Sequence, residues 1–301
     1  MEFKKLGIVT LVALSSMRCL SAEDHHAETK SFTTTPIKEN IMMLSGKGGN
    51  IGLLTGAQGI LLIDDDYKDM TPALIKVLQP FGGVDKLKYI INTHWHGDHT
   101  QGNLELGQHA TIVAHDNVRA RLLNAQEIKL FNMKSEPYPE IALPSITYKT
   151  QMHLHMNNED VELVHFSNGH TDGDSVVFFK NVNVIHTGDH FFNGFFPFVD
   201  VEHGGDVLGM AENITQLITM INDDTVIMPG HGPIGNKTDL IAFRDMLVGT
   251  AAEVQKMIDK GATISLAKKK GVSKKWAEWT DGFLTNEVWT GIVYQSLLKN
   301  K

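Results

Sequence analysis

Residues 94–99 read His-Trp-His-Gly-Asp-His, and His170, Asp189 and His231 follow, each in a glycine-containing turn after an apolar run. These are five histidines and two aspartates, the ligand types that zinc accepts. Side chains in an extended turn alternate with period two, so His94 and His96 point the same way. Asp98 and His99 lie beyond the bend at Gly97, where they can face a second metal a short distance away. A chain that must bring these four segments to one point has to deliver several strand ends to a common edge. That requirement narrows the choice of fold more than any other feature.

The 301 residues are 42% hydrophobic, enough for one large core in an α/β domain. The N-terminus reads as a secretory signal peptide over residues 1–22: Lys4 and Lys5, an apolar run from Leu6 to Leu14, then Leu20-Ser21-Ala22 as the small-residue cleavage site. The run is shorter than the about 20 apolar residues of a membrane span. The single cysteine, Cys19, lies inside this segment, so the mature chain is expected to hold neither a disulfide nor a thiolate ligand. Formal net charge is −8; removal of Lys4, Lys5, Arg18 and Glu2, a net +2, takes it to −10. Such an acidic protein is a poor partner for nucleic-acid phosphates, which need Lys and Arg to displace counterions. The expectation is an exported protein without a stable membrane span, periplasmic where the cell has an outer membrane.

Residues 23–39 are polar and read as a flexible lead-in to a domain over residues 40–301. Short apolar runs at Ile41–Leu44, Ile51–Leu54 and Ile60–Ile63, separated by glycine turns, read as consecutive antiparallel strands. Met70–Leu78 has helical spacing and stops at Pro80. Leu87–Ile91 is a buried strand that leads into the His motif, and Thr111–Ala114 is another, with Asp116 placed to cap a helix through Asn124. After the prolines at 137, 139 and 144, Val161–Phe166 leads to His170, and Ser175–Phe179 pairs with Val184–His186, which leads to Asp189. Asp206–Ile221 is an amphipathic helix, Thr225–Met228 leads to His231, and the tail from Thr238 is helical with breaks near Gly261 and Gly271.

This layout resembles the metallo-β-lactamase superfamily over roughly residues 40–235: strand, His-x-His-x-Asp-His, His, Asp, His. The resemblance implies a four-layer αββα sandwich with two zinc ions at one edge. Position by position it makes His94, His96 and His170 ligands of the first zinc, and Asp98, His99 and His231 ligands of the second, with Asp189 bridging both. The neighbouring words fit as well: Thr93, Asn168-Gly169-His170-Thr171, Thr187-Gly188-Asp189 and Pro229-Gly230-His231-Gly232. The best-known lactamase subclass has cysteine where this chain has Asp189, and a second subclass lacks the bridging carboxylate. The full set is typical of hydroxyacylglutathione hydrolases, lactonases and the phosphodiesterase branch, whereas flavo-diiron proteins replace the second His with Glu. The run from His190 to Asp200 with Gly204-Gly205, and the stretch Ala114 to Arg119, are similar to an exported group of superfamily hydrolases.

The implied chemistry is that of a zinc-dependent metallo-hydrolase of the β-lactamase type. Two zinc ions sharing Asp189 and a hydroxide lower the pKa of water towards neutrality, with Asp98 orienting that hydroxide as the catalytic carboxylate. The expected substrate is a small molecule with an activated carbonyl: lactam, lactone, ester or thioester. Glutathione thioesters fit an exported protein poorly. A phosphodiesterase or nuclease shares the ligands, but the acidic balance and absence of a basic exosite count against it. A non-catalytic zinc protein is disfavoured because closed structural sites use four protein ligands per ion.

Other residues read more plainly. His153 and His155 are surface positions on a strand, and His109, His165, His186 and His203 are structural. His115 and His190, beside motif words, are open to a supporting role. Asp172 and Asp174 are turn groups, and Lys268–Lys270 a solvated helix face. The phenylalanines at 191, 192, 195, 196 and 198 sit in a loop broken by Asn193-Gly194 and Pro197, and read equally as an apolar wall over the metals or as plain core.

Overall fold

The computed structural model describes residues 30–299, so the signal-peptide segment with Cys19 lies outside the described residues. The N-terminal half builds a seven-stranded sheet. An antiparallel meander comes first: β1 (Thr33–Lys38), β2 (Ile41–Ser45), β3 (Ile51–Gly56) and β4 (Gly59–Ile63). Helix α1 (Thr71–Leu78) then crosses over to β5 (Leu87–Ile91), parallel to β4. Two single-turn helices follow, α2 (Gly97–Thr100) and α3 (Asn103–Leu106), before β6 (Thr111–His115) adds parallel to β5. Helix α4 (Asp116–Leu122) leads to a hairpin of β7 (Gln126–Ile128) and β8 (Met133–Ser135), and β9 (Ile146–Tyr148) closes the sheet.

The second half gives a five-stranded sheet of β10 (Gln151–Met156), β11 (Glu159–His165), β12 (Ser175–Phe179), β13 (Val184–His186) and, after α5 (Val207–Met220), β14 (Val226–Met228). Helices α6 (Lys237–Asp259), α7 (Ile264–Lys270) and α8 (Asn286–Lys299) complete the chain.

The strands are apolar on both faces because each sheet is covered twice. In β4, Leu61 and Ile63 face the second sheet, while Ile60 and Leu62 face Leu74 and Leu78 of α1. In β12, Val177 and Phe179 face the first sheet, while Val176 and Phe178 pack toward α5, α6 and α8. Period-two alternation thus sorts one strand between two apolar layers. Helix, sheet, sheet, helix is the outcome, the four-layer sandwich expected from the sequence.

Strand direction places the site. β2 and β4 run the same way, as do β4 and β5, so the loops after them leave from one edge. In the second sheet β11, β13 and β14 share a direction, and the turns after them carry His170, Asp189 and His231.

Three local readings change. Residues 33–38, read within a flexible lead-in, form edge strand β1: Thr33, Thr34 and Thr35 favour extended backbone, and Pro36 is tolerated at an edge. Helix α4 ends at Leu122, and its cap is His115, whose side chain accepts from the Asn117 N–H, in place of Asp116. The β7–β8 hairpin falls between Asn124 and Pro137, where alternation is too short to read.

The phenylalanine loop divides. Phe196 is fully buried and stacks on Trp289 with ring centroids 5.4 Å apart, and Phe191 packs on Phe243 at 5.3 Å. Phe196→Ala is therefore expected to lower unfolding free energy by about 3–5 kcal/mol. Denaturant melts of the variant check this, and a loss below about 1 kcal/mol would remove Phe196 from the core.

Candidate metal centre

Behind the site lies a run of three buried aspartates after β4. Asp64 and Asp66 adopt left-handed backbone, with φ of 64° and 62°, which Asp tolerates better than most residues. This turn aims the Asp64 carboxylate under the His motif. Its Oδ1 accepts from the Thr93 N–H at 2.7 Å, and its Oδ2 from the Thr93 hydroxyl at 2.8 Å. His99 Nδ1 adds a third bond to Oδ2 at 2.7 Å. Since Thr93 spends its proton on Asp64, its oxygen accepts from His94 Nδ1 at 3.0 Å. One carboxylate thereby sets the tautomers of both His94 and His99.

The remaining rings are held in the same way. His170 Nδ1 donates to the Phe198 carbonyl at 2.7 Å, and His96 Nε2 to Asp200 Oδ2 at 3.0 Å. Asp200 also accepts from the His203 Nδ1 at 2.8 Å, so His203 braces the group that orients His96.

The inward nitrogens converge on Asp189. His170 Nε2 and His94 Nε2 lie 3.3 and 3.7 Å from its Oδ2. His99 Nε2 and His231 Nε2 lie 3.1 and 3.5 Å from its Oδ1. Asp98 Oδ2 joins the second group, 3.3 Å from His231 Nε2 and 3.6 Å from His99 Nε2. The structure thus gathers all seven residues into two groups: His94, His96, His170 and Asp189 in one, and Asp98, His99 and His231 in the other. One carboxylate oxygen of Asp189 faces each.

The donor chemistry fits metal cations. His170 Nε2 and His96 Nδ1 face each other at 2.8 Å while the opposite nitrogen of each ring is committed as a donor. Two bare lone pairs at that distance repel unless a cation lies between or beside them. His94 Nε2 is fully buried with no hydrogen-bond partner, which is costly for a polar atom. Burial holds His94 well below the usual histidine range and lowers His170 as well, so both rings are neutral. In the second group burial would lower His231, but Asp189 and Asp98 outweigh it and push it up to about 9. His99 is raised in the same way, against its burial, by Asp189, Asp98 and Asp64. Burial opposes ionisation of Asp98, yet His99 and His231 bring it down to about 2.

Above these residues opens a groove of about 350 Å³. One wall is apolar: Ile128, Phe131 and Met133 of the hairpin region, with Phe192, Phe198 and Phe283. Phe192 stacks on His231 at 5.0 Å and 20°, and Phe198 lies 5.6 Å from His96. Lys47, Gly48 and Tyr67 also line the groove, with the Lys47 ammonium 5.1 Å from the centre of the Tyr67 ring.

The other titratable residues fall outside this centre. His153 and His155 are exposed and lie near Asp160, at 3.1 and 3.4 Å. His186 is buried and satisfied, donating to the Asn50 carbonyl and accepting from the Gly188 N–H. His115 stacks on His165 at 3.6 Å. Asp174 holds the Thr171 N–H and hydroxyl, and Asp172 pairs with Arg121. His190 is buried against the Gly169–His170 turn, where a Cβ on Gly169 would stand 2.4 Å from its Nε2; Asn213 donates to that nitrogen. Burial, aided by His165, lowers its pKa to about 3. Asp64, Asp200, Lys47 and Tyr67 were absent from the sequence reading. A buried acidic run directly after an apolar strand was the available signal for Asp64; Asp200, Lys47 and Tyr67 carry no local pattern.

Comparison with known proteins agrees with this geometry. The family model described as the metallo-beta-lactamase superfamily matches residues 46–232. A probable metallo-hydrolase of Methanocaldococcus jannaschii is 28% identical over 207 residues, spanning 65% of this chain and 95% of the relative. A solved metallo-β-lactamase from Pontibacter korlensis superposes with a TM-score of 0.59 at 18% identity, covering 72% of this chain and 99% of that one. A stereoselective inverting sec-alkylsulfatase from Pseudomonas gives 0.67 at 14% identity, over 89% of this chain but 50% of that longer one. Likeness at such identities concerns the fold. The family match spans more than half the chain and includes all seven gathered residues: the chain belongs to the metallo-β-lactamase superfamily and is a metallo-hydrolase.

Proposed function

We propose that this chain is an exported zinc hydrolase holding two ions, acting on small molecules with an activated carbonyl: lactam, lactone, ester or thioester. The observation that carries the reading is the Asp189 carboxylate, with one oxygen turned to each group of inward nitrogens. His94, His96 and His170 would hold one ion, and Asp98, His99 and His231 the other. Zinc in such a pair supplies an activated water and an electrophile for the substrate oxygen.

The protein's own groups divide the remaining work. His94 and His170, both neutral, add no charge at the first position, so an ion held there would polarise a carbonyl oxygen. Asp98, half-buried at the groove, would accept a hydrogen bond from the attacking water and orient it. The hairpin, Phe192, Phe198 and Phe283 exclude water from one side and pack against an apolar substituent. Export is supported by the basic and apolar start of the sequence; no helix among the described residues is long and apolar enough to cross a membrane. A phosphodiester substrate is less well served, because among the described residues Lys47 is the sole lysine or arginine lining the groove.

Three outcomes are expected. Asp98→Asn keeps its shape but loses the charge facing His99 and His231, so turnover of carbonyl substrates by the zinc-loaded protein should fall roughly a hundredfold or more with the fold intact. Near-full activity with unchanged metal content contradicts the role given to Asp98. Phe192→Ala should raise KM for apolar substrates: losing about 40 Å² of contact at about 25 cal/mol per Å² is about 1 kcal/mol, roughly fivefold. Unchanged KM alongside lost stability would move that ring to the core.

Metal loading should also release protons. His231 and His99 have raised pKa values, so both are protonated at neutral pH before metal arrives and must lose a proton to become ligands. Affinity at the second position should therefore rise with pH up to about 9, the value to which His231 is pushed. Each displaced proton contributes about a factor of ten per pH unit. Zinc calorimetry in buffers of differing ionisation enthalpy reads this directly, and binding without proton release at neutral pH would contradict it.

A further inference from the structure

The groove has an apolar and a polar lining, and the hydrolase reading uses only the apolar one. We propose that Lys47 and the Tyr67 hydroxyl form an anion-binding rim, so that the preferred substrate is an amphiphile with an apolar arm on the phenylalanines and a carboxylate-like anion on that rim. The inference rests on the hydrolase reading for the site but adds the substrate's charge.

Position comes first. Lys47 lies on the loop between β2 and β3, and that loop is fixed to the site by its backbone. The Lys47 and Gly48 N–H groups donate to the two oxygens of Asp66, at 3.1 and 2.9 Å, and the Gly49 N–H donates to the Asp98 carbonyl at 3.0 Å. The approach is so close that a Cβ on Gly49 would lie 2.0 Å from the His99 ring, and one on Gly48 would lie 2.6 Å from the Asp98 carbonyl. Glycine is required there, and the lysine beside it is held at the mouth of the site.

Charge and hydrogen bonding come second. Lys47 Nζ lies 2.9 Å from Asp69 Oδ2, but the same oxygen is 2.7 Å from Lys30 Nζ, so two ammonium groups share one carboxylate and positive charge remains. The Lys47 ammonium also stands 5.1 Å from the centre of the Tyr67 ring. Tyr67 is half-buried, and its hydroxyl makes no hydrogen bond to another described residue. It lines the groove beside Lys47, Asp98 and Asp189. A phenol is protonated at neutral pH and can donate. A cation and a free donor on one rim, in a chain of net charge −8, match an anionic group on the ligand.

The test is calorimetric binding of two unreactive probes of matched shape, 4-phenylbutyrate and 4-phenylbutyramide, to the zinc-loaded protein. The wild-type chain should prefer the carboxylate about three- to fivefold, the scale of a partly exposed ion pair. Lys47→Ala should abolish that preference, Lys47→Arg should keep it, and Tyr67→Phe should reduce it, with zinc content and thermal midpoint at wild-type values. Equal binding of the two probes by the wild-type protein overturns the proposal. So does a carboxylate preference that survives in Lys47→Ala, since the zinc ions would then be the anion's partner. Failure of the underlying reading is separate: a zinc-loaded wild-type protein that hydrolyses no lactam, lactone, ester or thioester overturns the hydrolase assignment, whatever the probes show.

Discussion

The Asp64 carboxylate is the interaction on which the site's order depends. Buried without exposure, it takes the Thr93 N–H, the Thr93 hydroxyl and His99 Nδ1, and through the threonine it fixes His94. An uncompensated buried carboxylate is expensive. Here the cost is offset by three hydrogen bonds that also choose which nitrogen of each ring looks inward. Asp200 repeats the device for His96, bracing itself on His203, and the Phe198 carbonyl does the same for His170. Among His94, His96 and His170 the inward face is therefore a set of lone pairs, an arrangement that a cation satisfies well.

The second group is electrostatically different. Its histidines face two carboxylates and hold protons tightly, whereas buried His94 and His170 of the first group are neutral. Asp189 stands between them and is held well below the usual carboxylate range, despite its burial, by His99 and the surrounding histidines. The same asymmetry suits the work proposed for the site: an electrophile for the carbonyl oxygen on one side, an oriented water and a leaving group on the other. The groove above is lined by aromatic rings and by Lys47 with Tyr67.

The strands and the seven clustered residues were legible because each leaves a local pattern, and the order of layers followed from the family resemblance those motifs carry. Apolar runs of strand length, such as Ile60–Ile63, announce themselves, and glycine turns after them mark where side chains can converge. What was not legible depends on contacts between distant segments. Asp200 and His203 meet His96 across about a hundred residues of sequence, and nothing near them signals it. Lys47 looks like an ordinary loop lysine until the β2–β3 loop is seen against Asp98. The phenylalanine loop shows the limit most clearly: Phe192 and Phe196 sit in similar local sequence, yet one stacks on His231 and the other on Trp289. The β1 strand was missed for a simpler reason, its polar threonines resembling a linker when no partner strand is in view.

The central claim is that Asp189 joins two metal positions of unequal character. Anomalous diffraction at the zinc edge, from crystals of the zinc-loaded protein, tests it most directly. The account predicts two peaks flanking the Asp189 carboxylate, one among His94, His96 and His170, the other among Asp98, His99 and His231. A single peak, or two peaks with Asp189 bound to only one of them, would contradict it.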